Sequence, residues 1–138
     1  MRNAAVPSSR LKSPGGFTLV ELVIVMALVG ILAAIAYPSY VNQTIRTNRS
    51  AAQQFLLDIA NAEAQYQIDA RSYTAIIGTG GLGLVPTSAA SSNYTFTITL
   101  NAGPPPGYLI TATPAGRQAQ DGALTLDSTG SKTPASKW

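Results

Sequence analysis

The sequence contains no cysteine and no histidine. Without cysteine there is no disulfide framework, no thiolate zinc cluster and no thiol nucleophile. Without histidine the chain lacks the side chain that most often serves as a general base near neutral pH. Charge is also scarce: 11% of the 138 residues are charged, against 46% hydrophobic. The few acids are scattered, and no phosphate-cradling glycine loop follows a strand, so the residues predict neither an enzyme nor a cofactor. What remains suits one small domain plus one apolar segment.

The formal net charge of +3 is unevenly placed. Arg2, Arg10 and Lys12 precede the longest apolar run with no acid beside them. From Phe17 onward, Arg46, Arg49, Arg71, Arg117, Lys132 and Lys137 are balanced by Glu21, Asp58, Glu63, Asp69, Asp121 and Asp127. The basic excess therefore belongs to residues 1–16, and the rest of the chain is neutral.

Residues 17–37 read FTLVELVIVMALVGILAAIAY, in which Glu21 is the only charge. Roughly 20 apolar residues at ~1.5 Å rise span a bilayer core, which predicts a transmembrane helix. The cations before it and the anchoring Tyr37 and Tyr40 after it predict a single pass with a cytoplasmic N-terminus. A secretory signal peptide has the same three parts, including a small-residue triplet such as Ala34-Ile35-Ala36. Two features argue against that alternative. A carboxylate inside an apolar helix costs roughly 2.5–3.5 kcal/mol, so Glu21 needs a reason to be there. The pair Gly15-Gly16 also places flexible backbone at the membrane edge, where a protease can reach it.

Gly16-Phe17-Thr18-Leu19-Val20-Glu21 followed by an apolar helix resembles the class III leader of the type IV pilin family. The resemblance implies leader cleavage between Gly16 and Phe17, N-methylation of Phe17, and an assembly role for Glu21. It also implies that the stretch between Gly30 and Pro38 kinks or melts on assembly. On general grounds Pro38 alone weakens the helix, because it cannot donate to the carbonyl of Ala34 and its ring crowds that turn.

Helical periodicity resumes beyond Pro38. Ile45, Ala52, Phe55, Leu56, Ile59, Ala62, Tyr66 and Ala70 form one stripe, with Arg49, Gln53, Gln54, Asp58, Asn61 and Gln65 off it. A helix from Phe17 to Ala70 would be ~80 Å long, far more than this domain can cover. Half of it must pack on other subunits. Residues 71–93 read as a connecting loop rich in Gly, Ser and Thr. Strands follow at Tyr94–Leu100, Tyr108–Thr113 and Ala123–Asp127, where branched or aromatic residues alternate with Thr or Ala.

The expected organisation is thus α+β: a leader over residues 1–16, a membrane and filament-core helix over 17–37, an amphipathic helix over 38–70, a loop over 71–93, and an antiparallel sheet of about three to four strands with the tail over 94–138. The YPSY segment, an Asn48-Arg49 helix start, and the Gln118-Ala119-Gln120-Asp121-Gly122 segment resemble PilE-type minor pilins. That resemblance implies a filament subunit whose partners are other pilin subunits, a prepilin peptidase and methyltransferase, the inner membrane and the pilus assembly platform. It implies a role in pilus biogenesis, twitching motility, adhesion or DNA uptake, and a pilus at the cell surface as the final location. A major pilin and a type II secretion pseudopilin remain alternatives, as does a DNA-capturing pilin using Arg117, Lys132 and Lys137. Asp121 and Asp127 read as solvated loop acids rather than calcium ligands, so no metal is expected. The family's usual C-terminal cysteine pair is missing here, which leaves strand pairing and an apolar Trp138 to hold the tail.

Overall fold

The computed structural model describes residues 16–138. The leader expected over residues 1–16 lies outside the described residues, except for Gly16. One long helix, α1 (Leu19–Ala70), is followed by a single helical turn, α2 (Ser88–Ser91), and four strands: β1 (Tyr94–Asn101), β2 (Gly107–Pro114), β3 (Leu124–Asp127) and β4 (Lys132–Thr133). The chain divides into two compact units, Met1–Pro38 and Ser39–Trp138.

In the first unit every described residue is exposed. Its helical residues are almost all aliphatic, so the unit cannot bury anything against itself. The helical conformation continues through Gly30 and Pro38. Proline keeps a helical φ, so the helix runs on at Pro38, but without the hydrogen bond to Ala34 this turn is a weak point. No break follows Pro38 either. Asn48 and Arg49 therefore lie in mid-helix and are not the helix start expected from the sequence, since no glycine or second proline interrupts residues 39–70.

The second unit packs one stripe of α1 against the sheet. Strand order is β1-β2-β3-β4, all neighbours antiparallel, with Thr97 opposite Thr111, Thr111 opposite Thr125, and Thr125 opposite Thr133. Period-2 alternation sends Tyr94, Ile98, Ile110, Ala112, Leu124 and Leu126 inward. From α1 come Ala52, Phe55, Leu56 and Ile59, spaced to share one face. Edge-on aromatic contacts join Phe55 to Phe96 at 4.7 Å and Tyr73 to Tyr108 at 5.0 Å. The stripe ends sooner than its periodicity suggests, because Ala70 is exposed and Tyr66 only half-buried.

Glu63 continues that stripe as a fully buried carboxyl. Thr74 N–H donates to its Oε2 at 3.2 Å, while Oε1 has no partner among the described residues. Burial pushes the Glu63 carboxyl above its ordinary pKa, and the Thr74 hydrogen bond only partly opposes this. A group raised in this way favours the fold below its unfolded pKa, and that contribution fades as pH rises through the folded value. Glu63→Gln is therefore expected to stabilise the unit at pH 7 by of order 1 kcal/mol and to flatten stability against pH above about 4.5. Thermal melts of the two proteins across pH 4–8 test this. Parallel curves would show that Glu63 does not titrate on unfolding.

Candidate assembly site

The first candidate residues are Gly16 and Phe17, non-helical and exposed just ahead of α1. Thr18 opens the helix: its carbonyl accepts from Leu22 N–H at 3.2 Å, and its Oγ1 accepts from Glu21 N–H at 3.2 Å. That is an N-cap, and it satisfies one of the donors that every helix start leaves free. Thr18-x-x-Glu21 has the spacing of a capping box, a signal legible in the sequence. Glu21 occupies the first turn, where the positive end of the helix dipole favours a carboxylate. It is exposed, with no ion pair among the described residues.

Thr18 fixes the turn that presents Phe17 and Glu21 on neighbouring positions. Thr18→Ala is expected to fray this turn at a cost of about 1 kcal/mol. Amide exchange at Glu21 and Leu22 would accelerate about fivefold while exchange beyond Gly30 stayed unchanged. An unchanged Glu21 rate would remove the cap from this account.

The second structured site fastens the C-terminal region to α1. A six-residue 3₁₀ turn, Gly116–Asp121, is bracketed by Gly116 at φ 58° and Gly122 at φ 75°, conformations that glycine adopts at little cost. The turn delivers Gln118 and Asp121 inward, and both are buried. Arg49 from α1 grips both Asp121 oxygens, Nε donating to Oδ2 at 2.8 Å and Nη2 to Oδ1. Tyr94 O–H donates to Oδ2 at 2.9 Å, and Gln118 Nε2 reaches both Tyr94 Oη at 2.9 Å and the Ile45 carbonyl at 3.0 Å. Lys137 closes the set with its ammonium on the Asp121 carbonyl and 3.6 Å from Oδ1, while Gln53 Nε2 donates to the Lys137 carbonyl at 2.5 Å.

Asp121 is therefore not the solvated loop acid expected from the sequence. Hydrogen bonds from Arg49, then from Tyr94, hold its carboxyl down at about 2 against the opposing effect of burial. Burial, then the hydrogen bond to Asp121, push the Tyr94 hydroxyl up to about 12, so it stays a neutral donor. Arg49 is raised above its ordinary value, chiefly by the same hydrogen bonds. Asp127 has no such partner set. Its Oδ1 instead accepts from Thr129 N–H and O–H and from Ser131 N–H within its own turn. Trp138 packs partly against the core, and Lys132 lies 4.7 Å from its ring. A buried hydrogen-bonded carboxylate thus takes the place of a covalent staple.

Two families match this chain. Residues 11–37 match the prokaryotic N-terminal methylation motif, and residues 38–126 match the family described as "Type IV minor pilin ComP, DNA uptake sequence receptor". The chain belongs to this type IV minor pilin family. The pilin is also 39% identical over 92 residues to the type IV wide pilus major component PilA4 of Thermus thermophilus, covering 64% of this chain and 66% of that one. It is 34% identical over 96 residues to the fimbrial protein EcpC of Eikenella corrodens, covering 63% of each. Over 37 residues, 27% of this chain and 22% of the other, it is 60% identical to the type IV major pilin protein PilE1 of Neisseria gonorrhoeae. The pilin spans slightly less than two thirds of the first two relatives and about a fifth of the third.

Proposed function

We propose that this pilin is a minor structural subunit of a type IV pilus, held in the inner membrane with its N-terminus in the cytoplasm and then assembled through α1. A prepilin peptidase cuts between Gly16 and Phe17, a methyltransferase caps the new amine of Phe17, and Glu21 guides entry into the filament. The segment from Gly30 to Pro38 supplies the compliance needed when the helix passes from lipid to protein. The observation that carries this reading is the apolar half of α1, where every described residue is exposed. A surface of that size and apolarity needs lipid or other copies around it.

Mass spectrometry of membranes and of sheared surface filaments tests the proposal. The expected N-terminal peptide begins at methylated Phe17 in both fractions, at low abundance in filaments. Dominant abundance would make the chain a major pilin, as several of its relatives are named. Absence from filaments would make it a pseudopilin, and a chain beginning at Tyr37 would restore the secretory reading.

A second reading is DNA uptake, favoured by the description of the matching family. Of the three cations considered from sequence, Lys137 is engaged by Asp121 and Lys132 lies over Trp138, which leaves Arg117 exposed without an ion pair among the described residues. Affinity for duplex DNA that disappears on charge reversal at these three positions would support uptake, and indifference would exclude that surface.

A further inference from the structure

Charge in the second unit is segregated along α1. Arg46 and Arg49 come first after the apolar half, and the acids Asp58, Glu63 and Asp69 follow only later. The fold strengthens this bias. The 3₁₀ turn sets Arg117 into a cavity of about 260 Å³ with Tyr40, Val41, Thr44 and Ile45, and the cavity of about 350 Å³ beside it is lined by Asn42, Ile45, Arg46, Arg49, Gln120 and Asp121. Lys137 reaches the same carboxylate. Arg49 and Lys137 thus pair with one acid, Asp121, while Arg46 lines the same cavity and Arg117 the neighbouring one. Among the described residues, Arg46 and Arg117 are exposed with no ion pair.

We infer that this face docks on anionic phospholipid headgroups of the leaflet that α1 emerges from. The inference rests on the membrane-anchored reading above and adds a partner to it. Arg46 follows the anchoring residues Tyr37 and Tyr40 by nine and six positions in the chain, so the first cation of this face comes soon after the interfacial segment. Lipid is present there before any other macromolecule arrives. A phosphate matches the exposed donors of Arg46 and Arg117, while Asn42 adds a neutral hydrogen-bonding group at the second cavity. Arg49 is paired with Asp121, which offsets its charge and engages two of its donors, so the docking rests on Arg46 and Arg117. Docking would hold the cationic face on the membrane surface until extraction into a filament strips the lipid away.

The absence of cysteine makes the test direct. A single nitroxide at position 120 (Gln120→Cys) and, separately, a control at position 101 (Asn101→Cys) are placed in the full chain, inserted at one copy per nanodisc. Accessibility to a water-soluble relaxant reports docking. With phosphatidylglycerol present at low salt, the docked-to-undocked ratio at position 120 is expected to exceed that in pure phosphatidylcholine by roughly 25-fold, about fivefold for each free cation near the surface. Half-molar salt abolishes the difference, Arg46→Gln and Arg117→Gln each remove about fivefold, and the control at position 101 stays in water. Equal ratios in the two lipids would overturn the proposal, as would protection seen only at two copies per disc, which would assign the face to a second copy. Failure of the chain to insert at all would instead overturn the membrane-anchored reading.

Discussion

Replacing Asp121 by alanine is expected to destabilise the globular unit by about 3–5 kcal/mol, the cost of removing one partner from a buried ion pair. The carboxylate accepts from Arg49, Tyr94 and Gln118, and its removal strands a half-buried guanidinium and a buried hydroxyl at once. Because the same residue holds Lys137 and the 3₁₀ turn, the loss falls first on the C-terminal region. Amide exchange of residues 116–138 should rise before that of β1 and β2. Asp121→Asn keeps the shape and loses the charge, and should cost less. If both variants melt within 1 °C of the parent, the network does not fasten the tail.

The same group sets the acid limb of the stability curve. A folded pKa near 2 against an ordinary value of 3.8 means that the folded state holds fewer protons between those values. Asp121 therefore contributes stability that is complete above about pH 5 and is lost as pH falls through about 2, amounting to of order 2 kcal/mol. Glu63 acts with the opposite sign. Its contribution is greatest in acid and fades as pH rises above its ordinary value. The parent should thus lose more stability below pH 4 than Asp121→Asn does, and the gap between the two melts should narrow steadily towards pH 2.

Apolar periodicity made the architecture legible. Phe55, Leu56 and Ile59 announce a helix face, and Tyr94, Ile98, Ile110 and Leu126 announce a sheet face, because local spacing alone decides which side a side chain takes. The two-residue β4 leaves no such signature. Its existence follows from the turn that Asp127 builds and from pairing to Thr125 and Leu126. The fastening network was illegible for a different reason: Arg49 and Asp121 are 72 residues apart, and neither belongs to an apolar pattern. Glu63 was hidden by its charge, since a carboxyl at a stripe position reads as an interruption until Thr74 is seen to supply a donor. The N-terminal residues, in contrast, stood out as a constellation to be tested, because a lone carboxylate within the otherwise uncharged residues 17–37 has few structural explanations.

Glu21→Ala is expected to leave insertion and processing intact while reducing incorporation into filaments at least tenfold. Thr18 presents the carboxylate in the first turn, exposed and without an ion pair among the described residues. Cleavage before Phe17 would create an ammonium one helical turn away, and neither charge has a counterpart elsewhere in the apolar half of α1. At ~4 Å and an effective dielectric of 20 the two attract by about 4 kcal/mol before desolvation, so a third of that surviving would already account for tenfold. The pair can close within one subunit or between neighbours, and Glu21→Gln separates charge from polarity in both cases. Glutamine should insert more easily than glutamate yet assemble nearly as poorly as alanine, because it cannot neutralise the amine. Quantifying each variant in membranes and in sheared filaments decides the matter. Normal incorporation of both would show that the amine is neutralised by something other than Glu21, and recovery by glutamine alone would make hydrogen bonding, not charge, the property that assembly requires.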